Sequence, residues 1–148
     1  MNFQNIFVLT LSFTFISLFN FGQTGLRVNG KPIDKNRCLE IKQTNENLDS
    51  VKLESSDILE ATVEEDCLEL KIQYGGCGGN VELVTDNKLT KSPKPKMYFK
   101  LHWIEPSGCK ESKQIDVAFD LTPYKKLIQD NKAVISIIGT DIELKYKN

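Results

Sequence analysis

Several stretches of the chain alternate apolar and polar side chains with a period of two, and this pattern limits the fold most. In the clearest one, Leu68, Leu70, Ile72 and Tyr74 alternate with Glu69, Lys71 and Gln73. Successive side chains of a β-strand point to opposite faces, so this run predicts a strand with one buried face. The same pattern recurs at 37–42, 97–104, 113–121 and 141–147.

Turn signals divide the remaining sequence into short pieces. Asn29-Gly30 predicts an opening hairpin, because both central positions of a type I′ turn need positive φ. Gly139-Thr140 separates 133–138 from 141–147, which predicts a closing hairpin. Between them, Thr122 followed by Pro123 suits an N-cap and a first helical position, so one to two helical turns are expected.

Together these signals predict an all-β fold of about eight short strands with one short helical turn. Closely spaced strands with alternating faces are what two packed antiparallel sheets require, so an antiparallel β-sandwich is the first choice. A small closed β-barrel is the alternative, because alternation does not separate one curled sheet from two stacked sheets.

The N-terminal segment differs from the rest of the chain. Residues 1–22 contain no charged side chain, and the apolar run from Ile6 to Phe19 is too short for an ordinary membrane-spanning helix. A cleaved signal peptide over 1–22 is expected, leaving 23–148 as a single domain that is secreted, periplasmic or in the cell envelope. Contact with a membrane is expected only if this segment is retained.

Four cysteines lie in the predicted mature domain: Cys38, Cys67, Cys77 and Cys109. An even number in an exported chain predicts disulfides, and four cysteines allow three pairings. Cys77 and Cys109 both sit in glycine-containing turns at strand ends, which favours pairing them and leaves Cys38 with Cys67. A zinc site is disfavoured, because the chain lacks a C-x₂-C pair and has a single histidine, His102.

Charge and motifs narrow the function by exclusion. The formal net charge of −1 argues against nucleic-acid binding. His102 has no sequence-evident nucleophile beside it, and the glycine cluster 75–80 precedes a strand, whereas phosphate loops precede helices. No catalytic residue, metal ligand or cofactor site is assigned, and an enzyme is not expected.

Three segments, CLELKIQYGGCGGNVELV, FKLHWIEPSGCK and IDVAFDLTPYKKL, lie within residues 67–129. In combination they resemble a group of small secreted or lipid-anchored bacterial envelope proteins of uncharacterised function. The resemblance implies a β-sandwich and a bridge between Cys77 and Cys109. Members often carry a histidine where this chain has Asn80, so a shared two-histidine metal site is not expected here.

The leading hypothesis is a non-enzymatic exported domain that binds a protein or glycan of the envelope or extracellular space. Tyr98, His102 and Ile104, on the face of their strand opposite the bulky apolar residues, form the candidate binding surface. One alternative is a protease inhibitor that presents the loop KSPKPK (91–96), because a pre-organised loop binds at low entropic cost. Another is a small hydrolase that uses two carboxylates distant in sequence.

Overall fold

The computed structural model describes residues 26–29, 31–33, 37–48, 57–75, 78–104 and 110–146. The predicted signal peptide and both cysteines of the predicted Cys77–Cys109 bond lie outside these residues. The described part contains the strands β1 (Leu26–Val28), β2 (Lys31–Pro32), β3 (Lys42–Gln43), β4 (Asp57–Glu64), β5 (Cys67–Gly75), β6 (Gly79–Thr85), β7 (Lys96–Ile104), β8 (Ser112–Asp120), β9 (Val134–Ile137) and β10 (Glu143–Lys145), and the helix α1 (Thr122–Asp130).

These strands form two separate sheets, which confirms the predicted all-β sandwich. Seven strands form the larger sheet in the order β10-β9-β7-β6-β1-β2, with β3 also pairing with β6, and the smaller sheet has the order β4-β5-β8. The smaller sheet is antiparallel, as expected. The larger one is mixed, because β1 and β3 run parallel to β6 and β9 runs parallel to β7.

The core lies between the two sheets, where the predicted apolar faces meet. Phe99 and Trp103 of β7, Leu68 of β5 and Phe119 of β8 are all fully buried. Helix α1 covers part of this core, with the Tyr124 and Phe99 rings in edge contact at 5.8 Å between centroids. Alternate residues of the long strands therefore supply most of the packing, as a period of two requires.

Helix α1 begins one residue earlier than the sequence indicates. Thr122 is its first residue, Leu121 is the N-cap, and no side chain of the cap position bonds to the helix. The Asp120 carboxylate instead accepts the Thr122 N–H at 2.8 Å and satisfies one of the free donors of the first turn. Within the described residues, no helix combines the length and apolar character needed to cross a bilayer.

The segment predicted as a strand at 37–42 instead crosses from one sheet to the other. Leu39 forms a single parallel bridge with Phe119 of β8, and three residues later β3 pairs with β6 of the larger sheet. A continuous strand over 37–42 was therefore a wrong prediction, because its backbone hydrogen bonds are shared between two sheets.

A disulfide between Cys38 and Cys67 anchors this crossing segment, with the two Cα atoms 6.0 Å apart. It is one of the two bonds in the pairing favoured from the sequence. Cys67 begins β5, so the bond ties the crossing segment to the smaller sheet just before the chain leaves for the larger one. Disulfides persist in oxidising compartments, and this bond is typical of a protein outside the cytoplasm.

Asp66, in the turn between β4 and β5, joins three parts of the fold. Its carboxylate accepts hydrogen bonds from Lys125 of α1, at 2.8 Å, and from the Tyr146 hydroxyl beyond β10. Its carbonyl oxygen accepts the Leu121 N–H at 2.8 Å. The hydrogen bonds from Lys125 and Tyr146 hold the pKa of the Asp66 carboxyl below its ordinary value.

The variant Asp66→Asn tests this junction. A carboxyl whose pKa is lower in the folded protein contributes stability above its unfolded pKa, about 4, and loses that contribution as the pH falls through the folded pKa. We expect the variant to have a lower melting temperature than wild type at pH 7. This difference in melting temperature should narrow on acidification below about pH 4. Thermal denaturation from pH 7 to pH 3 measures both effects.

The control for this experiment is Glu64→Gln, because Glu64 is exposed at the end of β4 close to the same turn. It changes the net charge equally. The difference in melting temperature between Glu64→Gln and wild type should therefore be the same at pH 7 and at pH 3. A gap for Asp66→Asn that stays constant over this range would contradict the proposed ionic role of Asp66.

Candidate functional site

The candidate binding residues predicted from sequence lie on the outer face of the larger sheet. Met97, Phe99, Leu101 and Trp103 of β7 point into the core, so the alternate residues of the same strand point away from it. These outward residues are Tyr98, Lys100, His102 and Ile104. Lys100 nevertheless has only 4% of its surface exposed, which an uncovered sheet face does not explain.

Lys100 is buried because residues 44–48, here called the cover segment, fold back over the outer face. The segment begins where the Thr44 N–H donates to the Thr85 carbonyl at 2.9 Å. It reaches β7 where the Lys100 ammonium donates to the Leu48 carbonyl at 2.7 Å, and the Leu48 side chain is itself buried. The cover segment therefore separates Tyr98 on one side of Lys100 from His102 and Ile104 on the other.

On the Tyr98 side, the outer face and the cover segment line a cavity of about 630 Å³ that opens to solvent. Strand register places Glu143 of β10, Ser136 of β9 and Tyr98 of β7 in one row across the sheet. Asn47 and Leu48 of the cover segment, Asp86 after β6 and the turn between β9 and β10 also line this Tyr98 cavity. Its volume lies in the range of about 300–1,000 Å³ that is usual for small-molecule sites.

Two hydroxyl groups of the Tyr98 cavity have no hydrogen-bond partner among the described residues. Ser136 has only 8% of its surface exposed and lines the cavity, and its hydroxyl receives and donates no hydrogen bond within the described chain. The same holds for the Tyr98 phenol, because the hydroxyl of Thr85 donates at 2.9 Å to the Tyr98 backbone carbonyl and not to its side chain. Neither hydroxyl oxygen belongs to the fully buried side-chain atoms that lack a partner, so both open into the cavity, where they can bond to a ligand or to water.

The carboxylate at the rim, Glu143, is already engaged. Lys96 donates a close hydrogen bond to one of its oxygens, and Lys94 donates to the other at 3.0 Å. These two hydrogen bonds hold the pKa of Glu143 below its ordinary value, and Glu143 in turn raises the pKa of Lys96. Glu143 is thus held as an ion, and Asp86 and Asp141 add two further carboxylates to the lining.

On the other side of Lys100, the outer face carries a polar cluster around Glu82. Its carboxylate accepts from Lys42 and, at 3.0 Å, from Asn80, and it lies 3.7 Å from His102 Nδ1. Burial acts to raise the pKa of Glu82, but the hydrogen bond and charge of Lys42 outweigh it and lower the pKa. Ile104, half exposed, lies at the end of the strand beyond this cluster. Neither His102 nor Ile104 lines the Tyr98 cavity.

The loop of the inhibitor hypothesis, residues 91–96, is exposed over its first four residues and held by its own hydrogen bonds. The Ser92 hydroxyl donates to the Lys94 carbonyl at 2.7 Å, and Lys96 N–H donates to the Thr90 hydroxyl at 2.9 Å. The Lys94 ammonium is bound by Glu143, so this side chain points to the cavity rim. The inhibitor hypothesis stays a prediction.

The structure thus separates the candidate residues that the sequence grouped together. Tyr98 lies in a cavity, whereas His102 and Ile104 lie beyond the cover segment. Sequence reasoning missed Ser136 and Asp86 as parts of the site. Ser136 did leave a signal, because it is the only polar residue in the otherwise apolar run AVISII at 133–138. Within the described residues, no three histidine, cysteine, aspartate or glutamate side chains are grouped to hold a metal ion.

Comparison with known proteins extends the fold assignment but not the function. No protein-family model matches the sequence, and no curated protein sequence matches it either. The chain is similar to the crystal structure of a protein of unknown function, DUF1344, from Bacteroides vulgatus ATCC 8482, with a TM-score of 0.55 and 14% identity. The match covers 83% of this chain and 58% of that one, so this chain spans less than two thirds of its length. Similarity at this level of identity supports the fold alone.

Proposed function

We propose that this protein is an exported, non-enzymatic domain that binds a component of the envelope or extracellular space in the Tyr98 cavity. The observation that carries the proposal is the pair of unpartnered hydroxyls, Tyr98 and Ser136, in a cavity of about 630 Å³. Two hydroxyls that no other described residue engages, side by side in one cavity of the usual ligand-site volume, favour a binding site.

The Cys38–Cys67 disulfide supports the exported location. Such bonds are rare in the cytosol, where thiols are kept reduced, and common in secreted and periplasmic proteins. The uncharged residues 1–22 support the same location, because their apolar run from Ile6 to Phe19 has the length of a signal-peptide core rather than of a membrane-spanning helix.

The charges around the cavity favour binding over hydrolysis. A general acid in a hydrolase needs a carboxyl pKa raised toward neutral pH, whereas the pKa of Glu143 is lowered by Lys96 and Lys94. His102 has Glu82 as its neighbour and lies on the far side of the cover segment from the cavity. Among the described residues, no side chain forms a hydrogen bond with the Ser136 hydroxyl, as the base that activates a serine nucleophile would.

Binding to isolated envelope fractions tests the proposal. We expect the purified protein to bind saturably to envelopes of the cells that produce it, and Tyr98→Ala to weaken this binding by about tenfold or more, as for a central aromatic contact. The amount of fluorescently labelled protein that sediments with the envelopes measures it.

The matched control is Ile104→Ala, because Ile104 is an exposed apolar residue of the same strand and the same sheet face. It should bind as wild type does. If Ile104→Ala lost binding while Tyr98→Ala kept it, the binding site would lie at the His102 end, and the assignment to the cavity would be wrong.

A further inference from the structure

The lining of the Tyr98 cavity defines the chemistry of its ligand more narrowly than the proposed function does. We propose that the cavity receives a neutral, polyhydroxylated sugar unit of a glycan. This inference rests on the proposed function and adds the class of ligand. Three independent properties of the lining support it: its hydrogen-bonding groups, its aromatic ring and its charge.

The hydroxyls of Tyr98 and Ser136 favour a ligand that both donates and accepts hydrogen bonds. Each hydroxyl, on Tyr98 and on Ser136, offers one donor and acceptor lone pairs. The hydroxyl of Thr140, also in the lining, is already used, because it donates to the Ile137 carbonyl at 2.9 Å and accepts the Ile142 N–H at 3.1 Å. Sugar hydroxyls, which donate and accept within one group, match Tyr98 and Ser136 best.

The ring of Tyr98 adds an apolar surface beside these hydroxyls. Tyrosine presents an aromatic face and a polar tip, so it contacts a ligand that is apolar on one side and polar at its edges. A pyranose ring has this form, with C–H groups on its faces and hydroxyls around its rim. Ile138, which is partly exposed, contributes further apolar lining close to Ser136.

The charge of the lining disfavours anionic ligands. Asp86, Asp141 and Glu143 bring three carboxylates to the cavity, and Lys96 and Lys94 both pair with Glu143, so the carboxylates of this group exceed its lysines by one. A uronic acid or phosphate would meet this excess at Asp86 and Asp141, which costs binding energy. A cationic amine is the competing class, and a neutral sugar needs no counter-charge at all.

Titration followed by ¹⁵N–¹H NMR spectroscopy tests the inference on the purified protein. The probes are neutral sugars (cellobiose, maltose and N,N′-diacetylchitobiose), the anion glucuronate and the cation glucosamine. We expect saturable shifts of the Tyr98, Ser136 and Gly139 amides with at least one neutral sugar and none with the two charged probes. Saturation by glucosamine or glucuronate in place of the neutral sugars would overturn the assignment.

Variants of the two hydroxyl residues separate the ring from its polar tip. Tyr98→Phe, which keeps the ring, and Ser136→Ala should each weaken sugar binding about 2- to 10-fold, the effect of one hydrogen bond. Tyr98→Ala should weaken it more than tenfold, and Ile104→Ala should leave it unchanged. Equal binding by wild type and Tyr98→Ala would place the sugar elsewhere and contradict the inference.

The two proposals fail in different ways. If no sugar binds while Tyr98→Ala still abolishes binding to envelopes, the cavity is the binding site and its ligand is not a neutral sugar. If Tyr98→Ala keeps its binding to envelopes, the cavity is not the binding site, and the proposed function itself is wrong. Unchanged melting temperatures of Tyr98→Ala, Tyr98→Phe and Ser136→Ala would show that a loss of binding reflects the site rather than the fold.

Discussion

Removal of the Cys38–Cys67 disulfide should lower the free energy of unfolding by about 3 to 4 kcal/mol, because the bond closes a loop between residues 29 positions apart. In the chain-entropy account, the cross-link restricts the unfolded chain, and the effect grows with the length of the closed loop. Chemical denaturation of wild type and of the double variant Cys38→Ala/Cys67→Ala measures the difference.

Reductant supplies the control for this experiment. Added to wild type it opens every disulfide, whereas added to the double variant it reports only on the remaining cysteines, Cys77 and Cys109. We therefore expect wild type with reductant to be no more stable than the double variant without it. A double variant that lost less than a third of the expected free energy would show that the bond contributes little.

The position of this disulfide connects stability to the candidate site. The loop that it closes contains β3 and the cover segment, which supplies Asn47 and Leu48 to the Tyr98 cavity. Cys38 also fixes the point where the crossing segment, paired with β8 at Leu39, turns toward the larger sheet. The bond thus restrains the part of the chain that turns an open sheet face into a cavity.

Local pattern was sufficient to predict the long strands and their buried faces. The alternation at 67–74 and 97–104 corresponds to β5 and β7, with Leu70, Phe99 and Trp103 on the core side as expected. The closing hairpin is also confirmed, because β9 and β10 pair antiparallel across the turn at Gly139. These features depend on neighbouring residues alone, so a sequence window contains the necessary information.

Strand partners could not be predicted in the same way. The parallel pairs of β1 and β3 with β6, and of β9 with β7, join segments far apart in the chain. Alternation shows which side of a strand is buried but not which strand lies beside it. The crossing segment at 37–42 illustrates this limit, because its alternation is real while its hydrogen bonds go to two sheets.

Only part of the candidate site could be predicted from the sequence, because alternation does not show which segments lie beside a strand. Tyr98 was identified because it opposes the bulky face of its strand, and the pattern placed Lys100, His102 and Ile104 beside it on one exposed surface. The fold adds a cover segment from a distant polar stretch, which buries Lys100 and separates Tyr98 from the other two. Ser136 became part of the site only through the pairing of β9 with β7.

Gly79→Ala should lower the free energy of unfolding by about 3 to 5 kcal/mol, the sum of backbone strain and steric overlap. Gly79 has a φ of 137°, which residues with a Cβ rarely adopt. A Cβ at this position would lie 2.6 Å from the Ile104 carbonyl oxygen and 2.8 Å from the Trp103 ring. Neither neighbour can move easily, because one is strand backbone and the other a fully buried ring that also contacts Tyr74.

The matched control is Gly139→Ala, which separates strain from overlap. Gly139 also has positive φ, 86°, but it is exposed in the turn between β9 and β10. It should lose only the strain, about 1 to 2 kcal/mol. Equal losses for the two variants would mean that the packing of Gly79 against Trp103 contributes nothing. A much larger loss at Gly79 would explain the glycine cluster at 75–80 by close packing of a strand start against the core, rather than by anion binding.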